Sequence, residues 1–237
     1  MSQAPLLLLP GLTCDQAVWA DQIAALSATA ACLVPAYGEL DSLPAMAQAV
    51  LREAPPRFAL AGHSMGGRVA LEVMRAQPQR VTRLALLDTG WQARPIGEVG
   101  DEEARRRQRL LDIAHSNGMR AMGREWLIGM VHPERLQDQA LIEAILAMIE
   151  RCSAPAFAGQ IRALLNRPDA SDVLSTIACP TLLLCGREDA WSPLARHEAM
   201  AGLIAGSRLE VIERSGHMST MERPVDVSAA LKRWLAE

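Results

Sequence analysis

Ser64 lies in the run from Gly62 to Gly67, where glycines flank a serine in the pattern Gly-x-Ser-x-Gly. An aliphatic run precedes this segment and a helix-length amphipathic stretch follows it, which is the setting of a sharp strand-to-helix turn. Such a turn favours glycines because neighbouring segments approach its backbone closely. A serine there lies at a helix N-terminus, whose free N–H groups favour developing negative charge. The pattern predicts a nucleophilic serine, and a chance match in a glycine-rich turn is the alternative.

A serine hydroxyl becomes nucleophilic near neutral pH only when a base removes its proton and a carboxylate orients that base. Of the five histidines, His217 follows the last predicted strand, Arg208 to Ile212, at the sheet edge where catalytic loops gather. His217 is therefore the predicted base. His63 lies in the turn itself, so its side chain is expected to point away from the reaction. Three others, in helical or helix-edge contexts, are expected at the surface: His115, His132 and His197.

Asp189 is the predicted acid, because it lies in the loop directly after a predicted strand, Pro180 to Cys185. Ser64, Asp189 and His217 then occur in the chain order Ser, Asp, His that accompanies this type of nucleophile turn. Asp88 also ends a strand, one position beyond the strand that leads to Ser64. Asp88 therefore remains the alternative acid.

Two backbone N–H groups are predicted to stabilise the oxyanion that forms when Ser64 attacks a carbonyl. One belongs to Met65, at the start of the helix. The other belongs to Leu12, in the loop after the first predicted strand, where Gly11 leaves room for a substrate oxygen. This mechanism, with water releasing the acyl group, needs no metal and no organic cofactor.

Short aliphatic runs alternate with helix-length segments in the manner of βαβ units, which predicts an α/β fold with a mostly parallel sheet. The predicted strands are residues 5–9, 31–34, 57–61, 82–87, 180–185 and 208–212. No convincing strand occurs between about residues 91 and 175, where amphipathic helical stretches replace them. We therefore predict a core formed by residues 1–90 and 176–237, interrupted by a helical insertion at 91–175.

Composition excludes several classes of protein. The 237 residues carry a net charge of −3, which gives no electrostatic reason to expect a nucleic-acid or membrane partner. The five cysteines are odd in number and lack a Cys-x-x-Cys spacing, which argues against a disulfide framework and a structural zinc site. The sequence shows no signal-peptide pattern and no apolar run of membrane-spanning length. We expect a cytoplasmic protein with reduced thiols, and its oligomeric state is left open.

Taken together, these segments resemble the α/β-hydrolase superfamily over nearly the whole chain. The resemblance is carried by four stretches: Leu8 to Leu12, Gly62 to Gly67, Cys179 to Pro193 and Ser215 to Met218. It is strongest to compact bacterial members grouped with enol-lactonases and small carboxylesterases, including those that act on pimeloyl esters. The resemblance implies a sheet flanked by helices, with residues 91–175 forming a helical cap (lid) over the site.

The sequence departs from this family pattern in two places. Many relatives have His-Gly where this chain has Pro10-Gly11, which keeps the backbone donor but removes one side chain from the pocket. The stretch Pro35 to Leu40 is shorter than its counterpart in relatives and lacks their glycine-rich motif. Because the chain begins almost at its first core strand, we expect a sheet of about six strands. A serine at position 64 argues against dehalogenases and epoxide hydrolases, which need a carboxylate nucleophile there.

Four apolar residues are candidates for the substrate pocket beside Leu12 and Met65: Trp91, Trp126, Trp191 and Met218. The alternative is that they serve the packing of the insertion and the core. Arg94 and Arg124 are candidate anchors for a charged substrate, but their spacing selects neither. The pattern therefore favours a small, uncharged or weakly polar ester or lactone.

The expected function is that of a serine hydrolase (EC 3.1.1-like) that cleaves a carboxylic ester or lactone through an acyl-enzyme intermediate. Two alternatives stay open because the same fold hosts several chemistries. One is a C–C bond hydrolase or perhydrolase that uses the same triad. The other is a non-catalytic binding protein that uses a hydrolase pocket.

Overall fold

A six-stranded, fully parallel sheet forms the centre of the protein in a computed structural model that describes residues 4–237. The predicted α/β fold with about six strands is therefore confirmed. The strands are β1 (Ala4–Leu9), β2 (Ala30–Leu33), β3 (Phe58–His63), β4 (Val81–Leu87), β5 (Thr181–Gly186) and β6 (Arg208–Ile212). Their order across the sheet is β2-β1-β3-β4-β5-β6.

Helices connect and flank the strands. Those of the described chain are α1 (Ala20–Leu26), α2 (Leu43–Glu53), α3 (Met65–Ala76), α4 (Glu98–Asn117), α5 (Met119–Leu127), α6 (Gln139–Arg151), α7 (Ala154–Leu165), α8 (Ser171–Leu174), α9 (Leu194–Leu203), α10 (Ser219–Glu222) and α11 (Pro224–Ala236). Short 3₁₀ helices occur at Gln16–Trp19, Pro78–Arg80 and Pro133–Gln137. Helices α4 to α8 all lie between β4 and β5, and we call the segment from Glu98 to Leu174 the helical insertion. Within residues 4–237, no helix is both long and apolar enough to cross a membrane.

Two inner strands of the sheet, β3 and β5, are buried along their whole length. Every residue of β3 and β5 is buried, which is expected of parallel strands covered by helices on both faces. All strand pairs are parallel, so their carboxyl ends meet at one edge of the sheet. The polar residues that follow β3, β4, β5 and β6 are thereby brought to the same edge.

Helix α3 starts directly after β3 and packs closely against the sheet. A Cβ atom on Gly66 would lie 2.2 Å from the carbonyl oxygen of Leu9 and 2.7 Å from that of Pro10. A Cβ atom on Gly62 would lie 2.4 Å from the carbonyl oxygen of Gly66. These neighbours are backbone atoms, which cannot move aside as a flexible side chain can. The two glycines therefore allow the first turn of α3 to lie against the end of β1.

Replacement of Gly66 by alanine is expected to lower the free energy of unfolding by about 1–3 kcal/mol, the usual cost of overpacking. Gly202, near the end of α9, provides the matched control because a Cβ atom there meets nothing within 4 Å. Gly202→Ala should be neutral or slightly stabilising, since alanine is favoured over glycine within helices. Urea unfolding monitored by circular dichroism measures both changes, and equal midpoints for the two variants would contradict the packing argument.

Candidate active site

A continuous hydrogen-bonded chain joins the three predicted catalytic side chains. The Nε2 atom of His217 lies 2.7 Å from the hydroxyl oxygen of Ser64, and its Nδ1 atom lies 2.8 Å from Oδ2 of Asp189. The two ring nitrogens thus face different partners, one a hydroxyl and the other a carboxylate. This geometry suits an imidazole that removes a proton from Ser64 while its positive charge is balanced on the far side.

The backbone of Ser64 is held in an unfavourable conformation, with φ 54° and ψ −118°. Residues other than glycine rarely adopt a positive φ, and each such case costs about 1–3 kcal/mol. The N–H group of Ser64 donates to the carbonyl oxygen of Leu87 on β4 at 2.9 Å. This bond and the close packing of Gly62 and Gly66 fix the turn, so the hydroxyl of Ser64 stands above the sheet edge.

Asp189 is buried, yet its surroundings favour the ionised form. Its Oδ1 atom accepts hydrogen bonds from the N–H groups of Trp191 and Ser192, both at 2.8 Å. Burial alone would raise the pKa of Asp189, but His217 and these N–H groups outweigh burial and lower the pKa. For His217, burial would lower the pKa, but the attraction of Asp189 outweighs it and raises the pKa above its ordinary value. The pair therefore favours a carboxylate beside an imidazole that accepts a proton readily.

The helical insertion holds the backbone of the His217 loop. The carbonyl oxygen of Met130 accepts hydrogen bonds from the N–H groups of His217 at 2.8 Å and of Met218 at 3.2 Å. The carboxylate of Glu222 joins the same two segments, because it accepts from the N–H groups of Gly216 at 2.9 Å and His132 at 2.8 Å. The position of the predicted base thus depends on the insertion as well as on the sheet.

His63 supports His217 from below, a role that sequence reasoning missed. Its Nε2 atom lies 2.8 Å from the carbonyl oxygen of His217, so the ring carries its proton on Nε2 and donates it there. Burial, followed by the proximity of the His217 ring, lowers the pKa of His63 to about 4, which keeps the ring neutral. The glycine motif offered no signal for this contact, which depends on how the His217 loop crosses the turn.

The remaining histidines do not belong to the hydrogen-bonded chain of Ser64, His217 and Asp189. The expectation of a surface position was wrong for His197, which is fully buried and accepts a hydrogen bond from the N–H group of Thr89 at 3.2 Å. Helix α9 packs against β5, and this packing covers the His197 ring. His115 is exposed and His132 is partly exposed, 12% for its side chain.

Asp88, the alternative acid, does not contact the ring of His217. Its Oδ1 atom accepts from the N–H group of Gly186 at 2.9 Å, and its Oδ2 atom receives the hydroxyl of Ser219. Burial and the nearby Asp189 carboxylate raise the pKa of Asp88 well above its ordinary value. Asp88 therefore crosslinks β4, β5 and the start of α10, while Asp189 holds the ring.

The two predicted oxyanion donors, Met65 and Leu12, have N–H groups without a partner among residues 4–237. Met65 is the first residue of α3, and within the described chain neither its N–H group nor that of Leu12 donates to another residue. Both residues line the cavity that contains Ser64. The next residue, Thr13, donates its N–H group to Oε1 of Gln160 on α7 at 2.8 Å, which fixes the loop that carries Leu12.

A cavity of about 520 Å³ opens beside Ser64 and His217. Two of the predicted pocket residues, Trp126 and Trp191, line it. The other two do not: Trp91 is buried and donates its ring N–H to Ser171 at 3.1 Å, and Met218 is fully buried in the core. Sequence proximity to the triad placed these two residues near the site, but packing turned them away from the cavity.

Arginines form an unexpected part of the cavity wall. Neither candidate anchor lines it, because Arg94 bonds to the carbonyl oxygens of Leu165 and Gly100 and Arg124 is exposed on α5. The arginines that do line it are Arg68, Arg106, Arg107, Arg167 and Arg196. A signal existed for one of them, since Arg68 follows Ser64 by four residues and helical neighbours at that spacing share a face.

A parallel α/β sheet with a serine, a histidine and an aspartate joined at its carboxyl edge defines the class of protein. The model of the alpha/beta hydrolase family matches residues 6–231, and the chain belongs to this family. The resemblance inferred from the motifs is therefore confirmed.

Relatives with known names fit this assignment. The chain is similar to a pimeloyl-[acyl-carrier protein] methyl ester esterase of Aromatoleum aromaticum, with 29% identity over 84% of this chain and 81% of the relative. It is also similar to the structure of a thermophilic esterase from Thermogutta terrifontis, with 28% identity, a TM-score of 0.90 and coverage of 99% and 90%. An enol-lactonase from Burkholderia xenovorans shares the fold, with a TM-score of 0.85, 22% identity and coverage of 100% and 93%. The chain is an esterase-like hydrolase of this family.

Asp88→Asn is expected to preserve the fold. The free energy of unfolding of this variant should increase relative to that of the wild type as the pH rises. An asparagine can accept from Gly186, donate to Ser219 and tolerate the positive φ of this position, 48°. An acid whose pKa is raised by folding contributes stability below its unfolded pKa, here near 3.8, and loses that contribution as the pH rises. The unfolding midpoint of Asp88→Asn, measured relative to that of the wild type, should therefore be higher at pH 7 than at pH 4.

The control is Asp88→Ala, which leaves two buried donors without their acceptor. It should lower the free energy of unfolding by about 2–4 kcal/mol at both pH values. A variant Asp88→Asn that loses stability relative to the wild type between pH 4 and pH 7 would show that Asp88 is ionised in the folded protein.

Proposed function

We propose that this protein is a serine hydrolase that cleaves a carboxylic ester or lactone through an acyl-enzyme intermediate on Ser64. The observation that carries the proposal is the hydrogen-bonded chain from the Ser64 hydroxyl through His217 to Asp189 at the cavity. The esterases among its relatives, including one named as a pimeloyl-[acyl-carrier protein] methyl ester esterase, support ester cleavage.

In the first half of the reaction, the Ser64 oxygen forms a bond to the substrate carbonyl carbon. Its proton passes to Nε2 of His217, and the resulting imidazolium is stabilised by the Asp189 carboxylate on Nδ1. The negative charge on the carbonyl oxygen is stabilised by the N–H groups of Leu12 and Met65. Collapse of this intermediate breaks the bond to the alcohol, and His217 returns the proton to the leaving oxygen.

In the second half, water takes the place of the alcohol. His217 accepts a proton from the water as the water oxygen attacks the acyl carbon. The bond between that carbon and the Ser64 oxygen then breaks, and His217 passes the proton to the Ser64 oxygen. The products are a free acid and the regenerated serine. The side chains that act on the reacting atoms are supplied by this chain itself.

The helical insertion acts in this proposal as a cap (lid), with the cap taken as residues 91–175 and the core as 1–90 and 176–237. Residues from three of its helices line the cavity: Glu103 on α4, Trp126 on α5 and Leu164 on α7. The cap would therefore select the substrate while the sheet edge performs the chemistry.

Ser64→Ala is expected to abolish the turnover of p-nitrophenyl esters, because it removes the atom that carries the acyl group. The fall in kcat should be about 10⁴-fold or more. A panel of esters from acetate to octanoate, measured on wild type and variant at equal concentration, tests this directly. Wild-type enzyme should also show a burst of p-nitrophenol when deacylation limits the rate.

Two outcomes would contradict the proposal. Turnover that survives Ser64→Ala would remove Ser64 as the nucleophile. A wild-type protein that binds ligands tightly but releases no p-nitrophenol would instead favour a binding protein.

Asp189→Asn should reduce kcat far more than Asp88→Asn, because only Asp189 contacts the ring of His217. The loss expected for Asp189→Asn is about 10³–10⁴-fold, as for an imidazole left in the wrong tautomer. Asp88→Asn keeps the hydrogen bonds of Asp88 and should stay within about tenfold of the wild type. Steady-state kinetics on one ester decides the matter, and the reverse order of losses would assign the acid to Asp88.

A further inference from the structure

The cavity beside Ser64 has an excess of positive charge. Its wall includes five arginines but only one carboxylate, that of Glu103, apart from the buried Asp189 behind His217. An apolar cavity for a neutral ester has no need of such a wall, because each buried guanidinium costs desolvation energy. Whether each arginine contacts a carboxylate of the protein indicates whether it stabilises the fold or is available to a ligand.

Two of these arginines share one carboxylate within the protein. The Oε1 atom of Glu103 lies 2.9 Å from Nη2 of Arg107 and 2.6 Å from Nη1 of Arg167, and its Oε2 atom lies 2.8 Å from Nη2 of Arg167. Burial would raise the pKa of Glu103, but Arg167 and Arg107 outweigh it and lower the pKa to about 2. Glu103 is thus fully engaged, and these contacts join α4 to the segment after α7.

Arg68 and Arg196 have no such partner. Within residues 4–237 no carboxylate oxygen lies within 4.0 Å of either guanidinium. Their hydrogen bonds go to backbone carbonyl oxygens, from Arg68 to Gln92 at 2.9 Å and from Arg196 to Trp191 at 3.2 Å. Both side chains are half-buried and both line the cavity.

The two unpaired guanidiniums lie close to one another over Gly90. A Cβ atom on Gly90 would be 3.1 Å from Nη2 of Arg68 and 3.2 Å from Nη1 of Arg196. Burial and then the charges of Arg167 and Arg196 lower the pKa of Arg68 to about 9. The free protein therefore holds two like charges side by side at an energetic cost, and an anion between them would relieve that cost.

The pair is also well placed relative to the reacting atoms. Arg68 lies one helical turn after Ser64 on α3, and Arg196 lies on α9, shortly after the loop that carries Asp189. Ser64 lines the same cavity as the two arginines, so a group bound by them shares that cavity with a carbonyl at Ser64. Trp126, Met130 and Trp191 supply apolar wall for the carbons between.

We propose that Arg68 and Arg196 bind an ionised carboxylate of the substrate, so that the enzyme acts on esters or lactones that carry a second, free acid group. This inference rests on the proposed function and names the substrate class of the same site. It replaces the uncharged substrate expected from the sequence. A guanidinium matches a carboxylate because two parallel N–H groups can donate to its two oxygens.

The test compares two esters of equal length. One is the mono-p-nitrophenyl ester of glutaric acid, and the other is p-nitrophenyl valerate, in which a methyl group replaces the free carboxylate. The wild type should have a kcat/KM about tenfold to a hundredfold higher for the glutarate ester, after correction for spontaneous hydrolysis. Arg68→Gln and Arg196→Gln should each reduce this ratio by about tenfold or more.

The matched control is Arg52→Gln, which removes an exposed arginine of α2 outside the cavity and should leave the ratio unchanged. Added salt should lower the wild-type ratio, because ions screen a partly exposed charge contact. A wild type without preference for the glutarate ester, or a preference that survives both cavity substitutions, would overturn the inference while leaving ester hydrolysis intact.

Binding separates this inference from the proposed function. Calorimetric titration of Ser64→Ala with glutarate should show binding that Arg68→Gln or Arg196→Gln weakens by about tenfold or more. Such binding would support the carboxylate site even if the wild type hydrolysed neither ester. The absence of hydrolysis would contradict only the proposed hydrolase function. Inorganic phosphate that binds as tightly as glutarate would overturn the assignment to a carboxylate.

Discussion

The strained backbone of Ser64 is the constraint on which the rest of the site depends. A positive φ at this position raises the hydroxyl above the sheet edge, and the strain persists only because the surroundings permit no relaxation. Gly62 and Gly66 allow α3, β3 and the end of β1 to meet at backbone distance, and the bond to Leu87 ties the turn to β4. The loops that carry Asp189 and His217 then meet Ser64 at a position that the sheet has already fixed.

Two buried aspartates near this point have pKa values that their surroundings shift in opposite directions. Asp189 receives two backbone N–H groups and faces an imidazole, so its pKa falls despite burial. Burial and the charge of Asp189 raise the pKa of Asp88, although one backbone N–H group and a hydroxyl donate to its carboxyl group. The same residue type thus orients an imidazole at one position and crosslinks two strands and a helix at the other.

Features that depend on local sequence were predicted well, whereas those set by packing were not. Each predicted strand overlaps an observed one, because continuous aliphatic runs between turn residues have few other interpretations. The meeting of Ser64, Asp189 and His217 was predictable because parallel strands end at one edge. Among the arginines of the cavity, Arg68 had a sequence signal, but Arg167 reaches the cavity from the helical insertion, whose packing over the sheet no local sequence pattern predicts. The predictions for Trp91 and His197 were wrong for a related reason, because the position of a residue after a strand or in a helix does not determine which way its side chain packs.

The hydrogen bonds to the Met130 carbonyl affect how substrate would enter in the proposed mechanism. It belongs to the helical insertion but holds the N–H groups of His217 and Met218, and Glu222 reinforces the same junction through His132. An insertion that swung away as a rigid body would pull the imidazole out of alignment with the serine. In the proposed mechanism, substrate entry and proton transfer would therefore be linked, because the imidazole is aligned with Ser64 only while the insertion is in place.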